Sequence, residues 1–176
     1  MGDAQQLRFP DGSFDRTLSL LVLNFIPDRA KALEEMIRVT RPGSTVAAAV
    51  WDYGQGMQML RVFWDEAISL SPAMDARDER HMPLCRKGEL ALLWREHGLQ
   101  DVSEETLTIQ TRFVSFDDYW SPFLEKQGPA GEYVASLSAD ERDRLRLRLR
   151  RRLLGDGPDR PITLAGRAWA VRGIVP

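Results

Sequence analysis

Between Thr17 and Trp51 the apolar residues change rhythm twice. From Thr17 to Ile26 they form an apolar run, nearly continuous from Thr17 to Leu23, where it fits an interior strand buried on both faces in a parallel sheet covered by helices. Pro27-Asp28 closes the run and offers Asp28 as a helix N-cap. Ala30, Leu33, Met36 and Ile37 then recur at helical spacing, with Lys31, Glu34, Glu35 and Arg38 facing water. The helix is expected to reach Arg41 and stop at Pro42-Gly43, because proline donates no backbone bond and glycine accepts a left-handed turn. Val46 to Val50 resumes a buried strand. Strand, helix and strand in this order make a right-handed βαβ crossover.

Helical spacing returns at Met57–Ser71, where Phe63, Trp64, Ala67 and Ile68 form a stripe whose aromatic residues are expected to be core. Ala73 to Pro83 is charged and irregular, a surface loop by composition. Leu90, Leu93, Trp94 and His97 mark a helix from Lys87 to His97, ended by Gly98-Leu99; an imidazole in its last turn suits the helix C-terminus, so His97 is given a structural role. Thr106 to Phe113 alternates as a strand with one wet face, and Phe116–Leu124 reads as a second helical insertion. Ser138 and Glu141 form a capping box that starts a helix through Leu154. Its arginines, from Arg142 to Arg152, read as a solvated face balanced by Asp140, Glu141 and Asp143. A last strand falls in Arg167 to Ile174.

Parallel sheets bind ligands beyond the carboxyl ends of their strands. That edge carries Asn24-Phe25 after the first strand and Trp51-Asp52-Tyr53 after the second, while Asp3 lies in a short polar segment suited to an adenine edge. At these residues the chain resembles class I S-adenosylmethionine-dependent methyltransferases, in the group similar to enzymes that methylate quinone precursors. The resemblance is carried by Gly2-Asp3-Ala4 with Leu7, by Phe9-Pro10-Asp11-Gly12-Ser13-Phe14-Asp15, by Ser19 through Asp28, by Leu33-Glu34-Glu35-Met36 with Arg38-Val39, and by Arg41-Pro42-Gly43.

The resemblance implies an α/β, doubly wound Rossmann-like methyltransferase sheet. It implies a single domain over residues 1–176, with helical insertions at about 56–83 and 116–154. It also implies S-adenosyl-L-methionine as cofactor and a small-molecule acceptor. Asp3 would accept from the adenine amino group and Ala4 would offer its backbone N–H to the ring. Ser19, Leu20 and Leu21 would meet the methionine moiety through their carbonyls. The sequence departs from the family pattern at Asn24-Phe25, where a histidine pair is common, and at Ser44, where a second glycine is common. It also lacks a Gly-x-Gly-x-Gly loop, the strand before it and the acid that would pair the ribose. The fold is therefore expected to be N-terminally truncated and to bind the cofactor weakly or not at all. Either Met1 is an internal methionine behind a misplaced start, or the short chain covers an exposed strand edge with a partner or by forming a homodimer.

Composition narrows the rest. The chain has 176 residues and a net charge of -2, so nothing global draws it to nucleic acid or to an anionic membrane. No apolar run approaches about 18 residues and no basic-then-apolar leader opens the chain, which points to a cytoplasmic protein without membrane contact. Cys85 is the single cysteine, which excludes an internal disulfide and a thiolate metal cluster, and the two histidines are not at ligand spacing with carboxylates. No metal is expected. No catalytic residue is assigned; Asp52 and His81 qualify as a general base on position alone. Two further classes stay open. One is a non-catalytic domain acting through dimerisation or partner binding; the other is an RNA methyltransferase or RNA-binding domain using Arg148, Arg151 and Arg152.

Overall fold

The computed structural model describes residues 2–176, so Met1 and the question of an internal start lie outside the described residues. The strands β1 (Phe14–Leu20), β2 (Thr40–Trp51), β3 (Gln100–Phe113) and β4 (Ile162–Ile174) form a four-stranded sheet in the order β1-β2-β4-β3. β2 runs parallel to β1 and antiparallel to β4. The α-helices are α1 (Arg29–Val39), α2 (Gln58–Leu70), α3 (Glu89–Glu96), α4 (Phe116–Trp120), α5 (Gly128–Ser136) and α6 (Ala139–Leu154). No helix among the described residues is long and apolar enough to cross a membrane.

The chain divides into two compact units. The first holds the chain up to Asp52, Met82–Leu107 and Arg167–Pro176; the second holds Tyr53–His81 and Thr108–Gly166. The stretches expected as insertions fall, apart from residues 82–83, within the second unit.

In the first unit the βαβ crossover forms as its residues dictate. Asp28 caps α1 by accepting from the Lys31 N–H at 2.9 Å, and Ala32, Leu33, Met36 and Val39 are buried. The helix ends at Val39 rather than Arg41. Thr40 is already extended there, its hydroxyl donating to the Met36 carbonyl at 2.7 Å and accepting from the Thr17 hydroxyl at 2.5 Å. The stop at Pro42-Gly43 is instead an irregularity inside β2. Pairing jumps from Phe14–Thr40 to Arg16–Thr45, and Gly43 takes a φ of 77° in the intervening excursion.

The two faces of this sheet differ. Val46, Ala48 and Val50 are buried, and on that face the Trp94 indole of α3 donates to the Val46 carbonyl at 3.1 Å. Gly88 gives α3 no side-chain cap, so Glu104 of β3 supplies one, accepting from the N–H groups of Gly88 at 2.7 Å and Ala91 at 3.2 Å. On the opposite face Leu18 and Leu20 are each 71% exposed. The expectation of an interior strand buried on both faces is thus corrected. β1 lies at the end of the sheet order and stops at Leu20, because Leu21 turns into the left-handed region at φ 59°.

The second unit has an aromatic core of its own. Phe63 stacks on Phe123 at 4.4 Å between ring centres, Trp64 stacks on Tyr133 at 5.9 Å, and Leu145 and Leu149 of α6 are fully buried. The capping box forms, with the Glu141 N–H bound to the Ser138 hydroxyl and the Glu141 carboxylate bound to the Ser138 N–H at 2.9 Å. Residues 73–81, expected to be an irregular loop, hold 3-10 turns at Pro72–Arg77 and Glu79–His81. Two buried acids anchor them: Asp78 is gripped by Arg61 and Arg80, and the Trp64 indole donates to Glu79. α5 had no counterpart among the expected helices, because glycines at 128 and 131 mask its propensity; buried Ala130, Tyr133 and Val134 hold it in place.

Candidate functional site

The N-terminal segment forms a ribbon fastened along α1. The Leu7 N–H donates to Glu35 at 2.7 Å, and the Arg38 guanidinium donates to the carbonyls of Leu7 at 2.9 Å and Phe9 at 2.8 Å and to Asp11 at 2.7 Å. Arg38 also pairs with Glu35 at 2.7 Å; that bond, helped by the Leu7 N–H, outweighs desolvation and brings the Glu35 carboxyl down to about 2. At the head of the ribbon, residues 3–6 close a tight turn with the Gln6 N–H donating to the Asp3 carbonyl at 3.1 Å. The Asp3 carboxylate accepts from the Gln5 N–H at 2.9 Å and the Gln5 amide at 3.2 Å, which holds it below the usual carboxylate range. Gln5 in turn accepts from the Asp28 N–H at 3.0 Å. The turn is thereby pinned at the N-terminus of α1, on the rim beyond the carboxyl end of β1.

The strand tips meet on the same rim. The Leu21 N–H donates to the Ala49 carbonyl at 2.8 Å, joining the end of β1 to β2. A left-handed leucine is a strained backbone, and strain of this kind clusters where a ligand is held. So Asp3, Ala4 and Leu21 are gathered at one end of the sheet. Ser19 and Leu20 also line an open depression of about 610 Å³ on the exposed sheet face.

Beyond Leu21, a 3-10 turn at Leu23–Phe25 leaves Val22 and Phe25 about half exposed and turns Asn24 inward. Asn24 is buried. Its amide nitrogen sits 3.4 Å from the Met82 sulfur, and its Oδ1 has no hydrogen-bond partner among the described residues. Met82 sulfur only accepts, so it selects the nitrogen and leaves the oxygen as the free atom.

The candidate bases are engaged. Asp52 is buried at the tip of β2 and accepts from Arg167 at 2.8 Å, while that guanidinium lies 5.0 Å over the Trp169 ring. His81, in the second unit, is exposed with Nε2 3.3 Å from Asp75. His97 has its Nδ1 2.8 Å from the Leu93 carbonyl, so that nitrogen carries the proton and the ring closes the helix end. Most of the basic helix is also paired. Arg148 reaches Glu66 at 2.7 Å, Arg152 reaches Asp65 at 2.9 Å and Arg146 reaches Asp117 at 2.6 Å. Burial pushes the Glu66 carboxyl up, but Arg148 and Arg152 hold it below the usual range. Among the described residues no group of three or more His, Cys, Asp and Glu side chains is placed to hold a metal ion.

A family model described as a methyltransferase domain matches residues 1–48, the ribbon and most of the βαβ unit. The 2-methyl-6-phytyl-1,4-hydroquinone methyltransferase of a Synechocystis strain is 36% identical over 66 residues, which is 38% of this chain and 21% of that protein. The demethylmenaquinone methyltransferase of Beutenbergia cavernae is 31% identical over 118 residues, covering 61% of this chain and 49% of that protein. A protein of Bacillus halodurans, solved as a candidate methyltransferase, superposes with a TM-score of 0.55 at 17% identity, covering 99% of this chain and 70% of that one. This is a class I methyltransferase fold. The chain spans a fifth to a half of the length of those two curated relatives.

The residues expected at an adenine edge and at the strand tip keep polar atoms that a ligand could take up. The Asp3 carboxylate has an oxygen to spare, the Ala4 N–H makes no hydrogen bond among the described residues, and Asn24 Oδ1 is a buried acceptor without a donor. The clasp formed by Gln5, Glu35 and Arg38 escaped the sequence reading, which placed Glu35 and Arg38 on a water-facing stripe. Its only signal was an acid and a base one helical turn apart beside a polar N-terminal segment.

Proposed function

We propose that the chain takes part in methyl transfer from S-adenosylmethionine to a small-molecule acceptor, an aromatic ring system of the quinol kind named in its relatives. The observation that carries this reading is the Asp3–Gln6 turn, fastened through Gln5 to the N-cap of α1 beside the tip of β1. The bound cofactor supplies a methyl group on a sulfonium, which is already a good leaving group. The protein's task is then orientation and exclusion of water. Asp3 takes the adenine amino group and the Ala4 N–H meets the ring. The carbonyls of Ser19, Leu20 and Leu21 receive the methionine moiety. Arg38 and Glu35 act at one remove, by fixing the ribbon that presents Asp3.

Calorimetric titration of S-adenosylmethionine into this chain, and into a form extended upstream, tests the reading. The extended form is expected to bind, and Asp3→Ala is expected to weaken it about tenfold, the worth of one hydrogen bond to a charged group. Absence of binding by both forms would refute the assignment. The exposed leucines of β1 favour a second reading, a surface that binds protein.

A further inference from the structure

Two adjacent acids in the 3-10 turns of the second unit are served unequally by their neighbours. Among the described side chains of Pro72–His81 only Asp78 and Glu79 are buried. Asp78 accepts from both ends of the Arg61 guanidinium, one of them at 2.9 Å, from the Arg80 N–H at 2.8 Å and from the Arg80 Nε at 2.5 Å. Burial alone would raise its carboxyl, but these partners hold it below the usual range, so it stays ionised. Both nearby cations are spent on Asp78. Glu79 has no ion pair among the described residues, and its one side-chain donor there is the neutral indole of Trp64.

We infer that the Glu79–His81 turn is a proton-operated gate over Trp64, shut while the Glu79 carboxyl is neutral and open once it is ionised, with Asp78 as its fixed pivot. An ionised Glu79 left in place would be a buried charge with one neutral side-chain donor, a costly arrangement that movement into water relieves. Little opposes that movement, because Glu79 is the one buried residue of the turn. Burial raises its carboxyl above the ordinary 4.5, and the Asp78 charge adds to the rise against Trp64 and Arg61. The other groups around the turn do not supply the switch. Arg80 reaches Asp65 of α2 at 3.4 Å, and Arg152 of α6 reaches the same acid at 2.9 Å. Tyr133 of α5 stacks on Trp64, but burial holds its phenol above the ordinary 10.0. His81, 3.3 Å from Asp75, shares the pH range, yet both side chains are exposed, as is Arg77. Opening releases the Glu79 proton to solvent and turns the edge of Trp64, otherwise fully buried, towards water.

Hydrogen exchange of the full chain from pH 4.5 upwards, expressed as protection factors, tests the inference. Release of one proton on opening makes opening about tenfold more frequent per pH unit above 4.5, until the pKa of the shut form is passed. The Arg80 and His81 amides, both bonded to Asp78, and the Trp64 indole should lose protection at that rate. The Met74 amide, bonded to the Ser71 carbonyl ahead of the pivot, should keep its protection. Glu79→Gln is expected to abolish the pH dependence, and His81→Gln to leave it unchanged. Flat protection in the wild type overturns the inference, as does a fall that persists in Glu79→Gln or vanishes in His81→Gln. So does a Met74 amide that follows the others, since that is unfolding of the whole unit. The wild-type and His81→Gln profiles decide the matter even if Glu79→Gln fails to fold.

Discussion

Gly173 lies on β4 opposite Val46, where α3 comes down on the sheet, and it has no room for a methyl group. A Cβ there would stand 2.9 Å from the Trp94 ring, 3.0 Å from the Leu99 Cβ and 3.4 Å from the Gln100 carbonyl. Carbon atoms pack best at about 3.5–4.0 Å, so the two closest contacts fall short by roughly 0.5–1 Å. Trp94 cannot swing aside, because it is fully buried and its indole is held by the Val46 carbonyl. Overpacking of this kind costs about 1–3 kcal/mol. In a chain of this size each kcal/mol moves the melting temperature by about 2–4 °C, so Gly173→Ala should lower it by about 2–12 °C. Gly157→Ala serves as the control, since its Cβ would meet only the Leu154 carbonyl at an ordinary 3.5 Å. Thermal and urea unfolding read the effect, and a cycle with Trp94→Phe apportions it. A Gly173→Ala protein as stable as wild type, or one equally destabilised in the Trp94→Phe background, would refute the account.

Two further substitutions probe the buried polar groups. Burial raises the Glu79 pKa above its ordinary 4.5, with Asp78 adding to the rise and Trp64 and Arg61 opposing it. The protonated form is therefore favoured in the folded state, and its stabilisation is complete below 4.5 and lost as pH rises through the higher folded value. Glu79→Gln should match wild type below pH 4.5 and exceed it in urea midpoint towards neutrality; a variant weaker at neutral pH than in acid contradicts this. Asn24→Leu removes an unpartnered buried oxygen, so unfolding free energy should hold or rise by about 1 kcal/mol, whereas a loss above about 2 kcal/mol would show that the amide is a structural group.

The βαβ unit and the helix caps at Asp28 and Ser138 were legible because each is written in local terms: Asp28 three residues before the N–H it caps, Ser138 three before Glu141, a continuous apolar run before and after one amphipathic helix. The family resemblance was legible for the same reason. The aromatic stripe of α2 was correctly read as core. What local pattern could not show was which neighbours a strand would find. An unbroken apolar run says only that burial is favourable, and β1 follows it with Leu18 and Leu20 in water on one face, because burying a face takes an element packed over the sheet, which the run itself does not encode. The reach of β3 back to Gln100 and of β4 back to Ile162 was likewise set by strand pairing and not by composition. The same holds for the pairs that join distant residues: Glu104 capping α3, Arg167 gripping Asp52, Gln5 binding the α1 N-cap. Sequence fixes which side chains can bond. Only the tertiary structure decides which of them meet, since such partners are separated along the chain by more than any periodicity can register.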